Sequence, residues 1–307
     1  MRVGFMGRTR MLLDTITKVH QDSQHDIAFI WTSKAESFYK CDEHEFKRLS
    51  ESIGCPFYNS ANVSQIQRTA DFSLVDVVIS FNFINLLPAT FLNLFKFGVL
   101  NGHTGELPCY KGNACPNWAI LNSESNINLT IHEMNEGLDS GPIYLNKTCK
   151  LNKNTYITQI YEWLSKEVPN CFLETLNLIK MGNKPHPQKN IKPLRTFPRK
   201  PEDARILWHE GVENIYALVR ASSRPFEGAF CFLNGNIEQK ITIFKAKPIT
   251  LDYDFFAVDG QLLEKRSNSF IVASKNQALE VTDFCLNDYG IETSVAKITS
   301  SLRNRLT

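Results

Sequence analysis

Residues 73–80, Ser-Leu-Val-Asp-Val-Val-Ile-Ser, constrain this chain more than any other stretch. The run is nearly continuous in apolar residues, typical of a strand covered on both faces. Two shorter runs precede it, Arg2 to Met6 and Ile27 to Trp31. Helical patterns separate them. One begins near Met11, presents Leu12, Leu13 and Ile16 on one face, and has Thr9 as its cap. Another spans Asp42 to Ile53 with Phe46, Leu49 and Ile53 aligned, and a short one covers Val63 to Ala70. Strands alternating with helices predict an α/β fold built on a parallel, wound, Rossmann-like sheet. Ligands of such sheets sit at the carboxyl ends of the strands, here residues 80–87 and 101–105.

The pattern changes past the middle. Thr155 to Met181 repeats apolar residues at helical spacing, with Pro169 expected to bend or interrupt the helix and Gly182 to end it. A proline- and lysine-rich stretch follows and reads as extended. At 307 residues the chain has room for two domains. The expected organisation is a catalytic domain over 1–185, a linker over 186–203 and a smaller domain over 204–307. The last begins with a helix from Gly211 to Ser222. Strands follow at Ala229–Leu233, Lys240–Ala246, Ser269–Ala273 and Leu279–Val281, and a helix from Glu292 to Leu306 closes it. A small β-barrel, OB-like, fits that order.

Several classes drop out. No apolar run reaches the roughly 18 residues that a membrane span needs, and the apolar part of the N-terminus is too short for a signal peptide. The expected location is the cytoplasm, with no membrane partner. Eight cysteines lie scattered without a CxxC pair, as reduced thiols do. The net charge of +2 is too balanced for a dedicated nucleic-acid binder. The first strand leads into Gly4-Phe-Met-Gly7, which is not the GxGxxG of a dinucleotide site.

Chemistry concentrates after the apolar run Phe97 to Leu100. Asn101 and His103 are two residues apart, so on a strand end they point the same way. An amide offers a donor, and an imidazole offers a proton near neutral pH. Together they can hold a developing oxyanion and move a proton. Asp139, in Leu138-Asp-Ser-Gly141, supplies a carboxylate that would keep the imidazole charged. Each of the three alone is a common turn, cap or core residue. His132 shares a face with Thr130 and Met134 and reads as structural. Cys115 has no second histidine placed to activate it, so a thiol nucleophile is not expected. No metal is expected either, because His103, His132 and Asp139 lack a local ligand spacing.

The ordered set Asn101-x-His103, Leu107-Pro108-x-Tyr110-Lys111-Gly112, Pro116, Ala119-Ile-Leu-Asn122, Thr130-Ile-His132 and Leu138-Asp-Ser-Gly141 resembles the 10-formyltetrahydrofolate-dependent formyltransferases. Pro201-Glu-Asp-Ala-Arg-Ile-Leu-Trp208, Val219-Arg-Ala221 and Pro225-x-x-Gly228-Ala-Phe230 extend the resemblance into the second domain. It implies catalysis by Asn101, His103 and Asp139, with 10-formyltetrahydrofolate as formyl donor. The pterin would lie between Phe83, Ile84, Asn85, Leu86 and Leu87 on one loop and Asn135, Gly137 and Leu138 on the other. The acceptor would meet Gly105, Tyr110 and Lys111, and Arg8, Thr9 and Arg10 would meet a pyrophosphate. His103-Thr-Gly is more similar to the nucleotide-sugar members than to those acting on tRNA. The second domain is similar to that of the enzyme that formylates UDP-4-amino-arabinose. The expected acceptor is therefore a nucleotide-linked amino sugar, a 4-amino-4,6-dideoxysugar made for surface polysaccharide such as the O-antigen of lipopolysaccharide. The alternative is methionyl-tRNA formyltransferase. Exposed strands in the second domain make a homodimer a further expectation.

Overall fold

Central strands of the first half have no water-facing side. Val3, Phe5, Val77, Ile79, Val99 and Leu100 are all fully buried, as β-branched and aromatic residues covered by helices on both faces should be. The computed structural model describes residues 1–36 and 39–307. Contacts divide it into two units. One holds Met1–Cys115, Asn126–Lys150 and Tyr161–Phe197; the other holds Pro116–Ser125, Leu151–Ile160 and Pro198–Thr307.

In the first unit the chain runs β1 (Arg2–Gly7), α1 (Arg10–Gln21), β2 (Asp26–Thr32), α2 (Glu43–Ile53), β3 (Phe57–Asn59), α3 (Val63–Thr69), β4 (Val77–Phe81), α4 (Ala89–Leu92), β5 (Val99–His103) and β6 (Lys111–Gly112). Then come α5 (Cys115–Leu121), β7 (Asn126–Glu133), β8 (Ile143–Lys150), α6 (Ile157–Lys180) and β9 (Arg195–Thr196), with α5 beyond Cys115 and the start of α6 falling in the second unit. Seven strands form one sheet in the order β3-β2-β1-β4-β5-β7-β8. β3 through β5 are parallel. β7 runs against β5, and β8 against β7. The chain order reverses between β1 and β4, which opens a crevice at their carboxyl ends.

Local hydrogen bonds set the helix ends. The Thr9 hydroxyl caps α1 by accepting from the Leu12 amide. Asp42 and Glu45 form a capping box on α2, and Gly54 ends that helix in the left-handed region. Trp31, Phe72, Phe91 and Phe95 meet edge to face beside β2 and β4, the geometry that ring quadrupoles favour. Two details differ from the sequence reading. The strand expected from Ser73 starts at Val77, because the Val75 amide turns back onto the Phe72 carbonyl. α6 runs through Pro169 without a break.

The second unit continues with α7 (Val212–Ser222), β10 (Ala229–Leu233), β11 (Asn236–Ile249), β12 (Leu262–Lys265), β13 (Phe270–Ser274), β14 (Gln277–Leu286) and α8 (Ile291–Ile298). The strands make one antiparallel sheet, β10-β11-β14-β13-β12. α7 buries Val212, Ile215, Tyr216 and Val219 in its core. The closing helix expected to reach Leu306 stops at Ile298. Its last residues are taken up by strand-like bonds instead. Phe232 and Thr307 exchange amide bonds at 2.8 Å, and the Leu306 amide donates to the Gly260 carbonyl at 2.8 Å. Bridges Leu233–Leu306 and Gln261–Arg305 let the tail span from β10 to the approach of β12. A chain whose amides serve two strand edges has none left for a helix. Among the described residues, no helix is long and apolar enough to cross a membrane.

Candidate active site

β5 carries Asn101 and His103 to its carboxyl end with Gly102 between them. Gly102 is there for space. A Cβ would come within 2.7 Å of the Phe81 ring and 2.9 Å of the Phe172 ring. The register of β5 on β7 sets Asn101 opposite His132 and His103 opposite Thr130. Opposed residues project from the same face, so His132 joins the two side chains that the sequence singled out.

Asp139 arrives on the loop between β7 and β8. Its φ of +44° lies in the left-handed region, uncommon for a residue other than glycine. Gln188 braces the loop by donating from Nε2 to the Asp139 carbonyl at 2.8 Å and the Gly141 carbonyl at 2.9 Å. The Asp139 carboxylate takes the Gly112 amide at 2.8 Å on Oδ2. The same Oδ2 stands 3.5 Å from His103 Nδ1, and Oδ1 stands 3.7 Å from His132 Nε2.

Hydrogen-bond partners decide the protons. His132 Nδ1 lies 3.0 Å from the Glu133 carbonyl, which fixes a proton there. Its Nε2 lies 3.3 Å from the Asn101 side-chain nitrogen and also faces Asp139 Oδ1. That contact orients the Asn101 side chain. His103 Nε2 lies 2.7 Å from the Tyr110 carbonyl, and Nδ1 faces Asp139, so both nitrogens meet acceptors. Burial works against a charged ring here. The Cys115 sulfur, Asp139 and the Tyr110 carbonyl outweigh it and hold the His103 pKa above the ordinary value. Asp139 shifts the other way, to about 2. Burial opposes its charge, but His132, His103 and the Gly112 amide prevail. The arrangement keeps a proton on His103 and a negative charge on Asp139.

Neighbouring residues fill supporting positions. Gly105 packs under the cluster, where a Cβ would lie 2.6 Å from the Tyr110 oxygen and 2.7 Å from His103 Nε2. The Thr130 hydroxyl donates to the Gly105 carbonyl at 2.8 Å. Tyr110 and Lys111 lie on or beside β6. Buried Cys115 donates to the Tyr110 carbonyl at 3.1 Å, and its sulfur is 3.7 Å from His103 Nε2.

The loops expected to hold the pterin differ in character. Ile84 and Leu86 are 51% and 77% exposed, and Leu138 is partly exposed, so both loops offer apolar surface to a ligand. Phe83 packs edge to face on Trp31, and Leu87 is buried. The Asn85 amide is tied to the Ala61 carbonyl. Asn135 accepts from the Gly137 amide and the Ser140 hydroxyl.

Arg8, Thr9 and Arg10 follow β1 and are engaged with protein groups. Arg8 donates to the Lys34 and Asn82 carbonyls and the Tyr39 hydroxyl, and its guanidinium lies over the Tyr39 ring. Arg10 meets Glu45 and the Lys40 carbonyl. Thr9 is the cap of α1.

Residues 1–176 match the formyl transferase family, and residues 199–289 match the formyl transferase C-terminal domain. The chain is a formyl transferase. Solved structures share its fold at low identity. WlaRD, a sugar 3N-formyl transferase crystallised with dTDP and 5-N-formyl-THF, is 16% identical with a TM-score of 0.69. The match covers 94% of this chain and 99% of WlaRD. The N-formyltransferase of Helicobacter canadensis, crystallised with folinic acid and dTDP-3-aminofucose, is 14% identical with a TM-score of 0.64, covering 92% and 99%. HypX from Aquifex aeolicus, crystallised with tetrahydrofolic acid, is 19% identical with a TM-score of 0.63. The match covers 94% of this chain, which spans only 44% of HypX.

Proposed function

We propose that this formyl transferase moves the formyl group of 10-formyltetrahydrofolate onto the amine of a nucleotide-linked amino sugar, a 4-amino-4,6-dideoxysugar destined for surface polysaccharide. The convergence of Asn101, His103 and Asp139 in a chain of this family carries the reading. The folate supplies an activated formyl carbon. Ile84, Leu86 and Leu138 suit the flat pterin, and the amine approaches from the side of residues 105–113. As the amine nitrogen bonds to the formyl carbon, negative charge grows on the formyl oxygen. The Asn101 amide donates to that oxygen, a contribution of about 3 kcal/mol, and the charge of the His103 imidazolium, whose own N–H groups face the Tyr110 carbonyl and Asp139, stabilises it through space. Asp139 keeps the imidazolium charged and collects, through water, the proton the amine sheds. The bond to the folate nitrogen breaks, and that nitrogen takes a proton. Positioning does much of the work, so no covalent enzyme intermediate is required. On this reading residues 1–185 carry the chemistry, 186–203 link and 204–307 are accessory.

Support for a sugar acceptor comes from the His103-Thr-Gly stretch and from the amino-sugar enzymes that share the fold. The deciding experiment offers 10-formyltetrahydrofolate with a panel of 3-amino and 4-amino nucleotide-linked sugars and methionyl-tRNA. Tetrahydrofolate release together with a mass gain of one formyl on a 4-amino sugar is expected. Formylation of a 3-amino sugar alone would move the amine, and formylation of the tRNA alone would replace the acceptor.

A further inference from the structure

Beside Lys111 stands a second cation that the mechanism does not use. β6 and β9 form a two-stranded parallel ribbon pairing Lys111 with Arg195 and Gly112 with Thr196. Residues in register on such a ribbon project from one face, about 5 Å apart. Like charges placed that way oppose each other. Among the described residues, neither cation has a carboxylate within 4.0 Å. Arg195 instead lies over the Phe197 ring, 5.0 Å from its centre, and that ring is 57% exposed. The guanidinium thus sits over an aromatic face, with no carboxylate among the described residues to neutralise it. Arg8 and Arg10, by contrast, are committed to carbonyls and carboxylates.

The two edges of β6 have separate partners. The Tyr110 carbonyl meets His103 Nε2, and the Gly112 amide meets Asp139 Oδ2. Lys111's own amide and carbonyl face the other way, to the Leu194 carbonyl at 2.9 Å and the Thr196 hydroxyl at 3.1 Å. Strand alternation requires this. Lys111 is therefore the one residue between two bonds to the catalytic groups, and Arg195 is fixed alongside it.

We propose that Lys111 and Arg195 together form the diphosphate subsite of the acceptor. The proposal rests on the nucleotide-sugar reading. In such a sugar the diphosphate sits on the anomeric carbon and the amine lies across the ring. An anion site on the strand whose flanking residues bond His103 and Asp139 is what that molecule needs. Arg195 supplies a planar fork for two phosphate oxygens, and Lys111 supplies a point charge. Binding the anion also relieves the repulsion between the two cations.

The test measures binding of dTDP, UDP and inorganic pyrophosphate to the full chain by calorimetry, with no folate or amine present. Arg195→Ala should weaken nucleoside diphosphate binding at least about tenfold, and Arg195→Lys should recover part of it. The melting temperature of Arg195→Ala should hold or rise, because a like-charge contact has gone, whereas a merely structural arginine would lower it. With the acceptor found by the panel, KM for the nucleotide sugar should rise and KM for the folate should not. Equal diphosphate binding by Arg195→Ala and the parent overturns the proposal. So does a parent that ignores all three probes but binds tRNA with a steep salt dependence. Failure of the amino-sugar panel with diphosphate binding intact would count against the acceptor reading alone.

Discussion

Two histidines of the first unit, His103 and His25, are both nearly buried, at 6% and 4% exposure, yet they sit in opposite electrostatic situations. His103 has an acceptor at each nitrogen, the Tyr110 carbonyl and Asp139. His25 lies between α1 and β2, and among the described residues neither of its ring nitrogens has a partner in hydrogen-bond geometry. Burial lowers its pKa, the N-terminal amine and Lys180 add to that, and Asp22 and Asn177 only soften it. His103 moves up and His25 moves down. Burial alone, then, does not favour a charged histidine. The carboxylate and carbonyl supplied by two separate loops do.

The comparison breaks first on the catalytic side. His103→Ala, Asn101→Ala and Asp139→Ala should each lower turnover by about a hundredfold or more, with circular dichroism unchanged. Near-normal turnover of His103→Ala would end the assignment. Asp139→Asn sharpens the point. It removes the main charge that holds His103 up, so His103 should behave more like His25. The folded His103 pKa is raised, so its charged form, and the stability that form brings, is complete below the ordinary histidine value and fades as pH rises through the folded value. The alkaline fall in activity should therefore begin above the pH expected of a free histidine, and Asp139→Asn should move it to lower pH. A pH profile of kcat for the two proteins decides this.

Gln188 holds the carboxylate indirectly. Gln188→Ala deletes two bonds to a loop whose Asp139 is left-handed. A loss of about 1–2 kcal/mol in positioning corresponds to roughly tenfold in turnover, and Asp139 keeps its identity. A drop as deep as that of Asp139→Ala would place Gln188 in the chemistry itself. On the other side of the comparison, His25→Leu should leave kcat alone. The folded His25 pKa is depressed, so the protein is fully stabilised above the ordinary histidine value and loses stability as pH falls below it. His25→Leu should flatten that acid-side decline in melting temperature. An unchanged decline would mean that another group titrates there.

How much of this was legible follows from what each signal is made of. The apolar run before Ser80, the Thr9 cap and the Asn101–His103 spacing are local, and local chemistry is written in consecutive residues. The direction of β7 is not. Only the pairing of β5 with β7 brings His132 opposite Asn101, and an isolated histidine on an apolar face looks structural. Arg195 was hidden the same way, since its neighbour Lys111 is 84 positions away and a two-residue strand has no periodicity to detect. The tail reads as helix because Glu292 to Leu306 carries helical spacing. The edge bonds of Phe232 and Gly260 that claim it are far away in sequence.

Cys115 gives the smallest expected effect and a pointed one. Its sulfur is 3.7 Å from His103 Nε2, close enough to suggest a thiol–imidazole pair. Its geometry argues otherwise. The thiol donates to the Tyr110 carbonyl, touches the Thr196 hydroxyl at 3.3 Å and is almost wholly buried. A nucleophile needs access and a thiolate, whereas the formyl donor is already activated and needs neither. The same sulfur helps hold His103 above the ordinary value, so its removal should reach activity only through that ring. Cys115→Ala should keep turnover within about threefold of the parent, under 1 kcal/mol, with a shift of the alkaline limb to lower pH. A collapse of turnover in Cys115→Ala, rescued by no change of pH, would instead put sulfur at the reacting carbon.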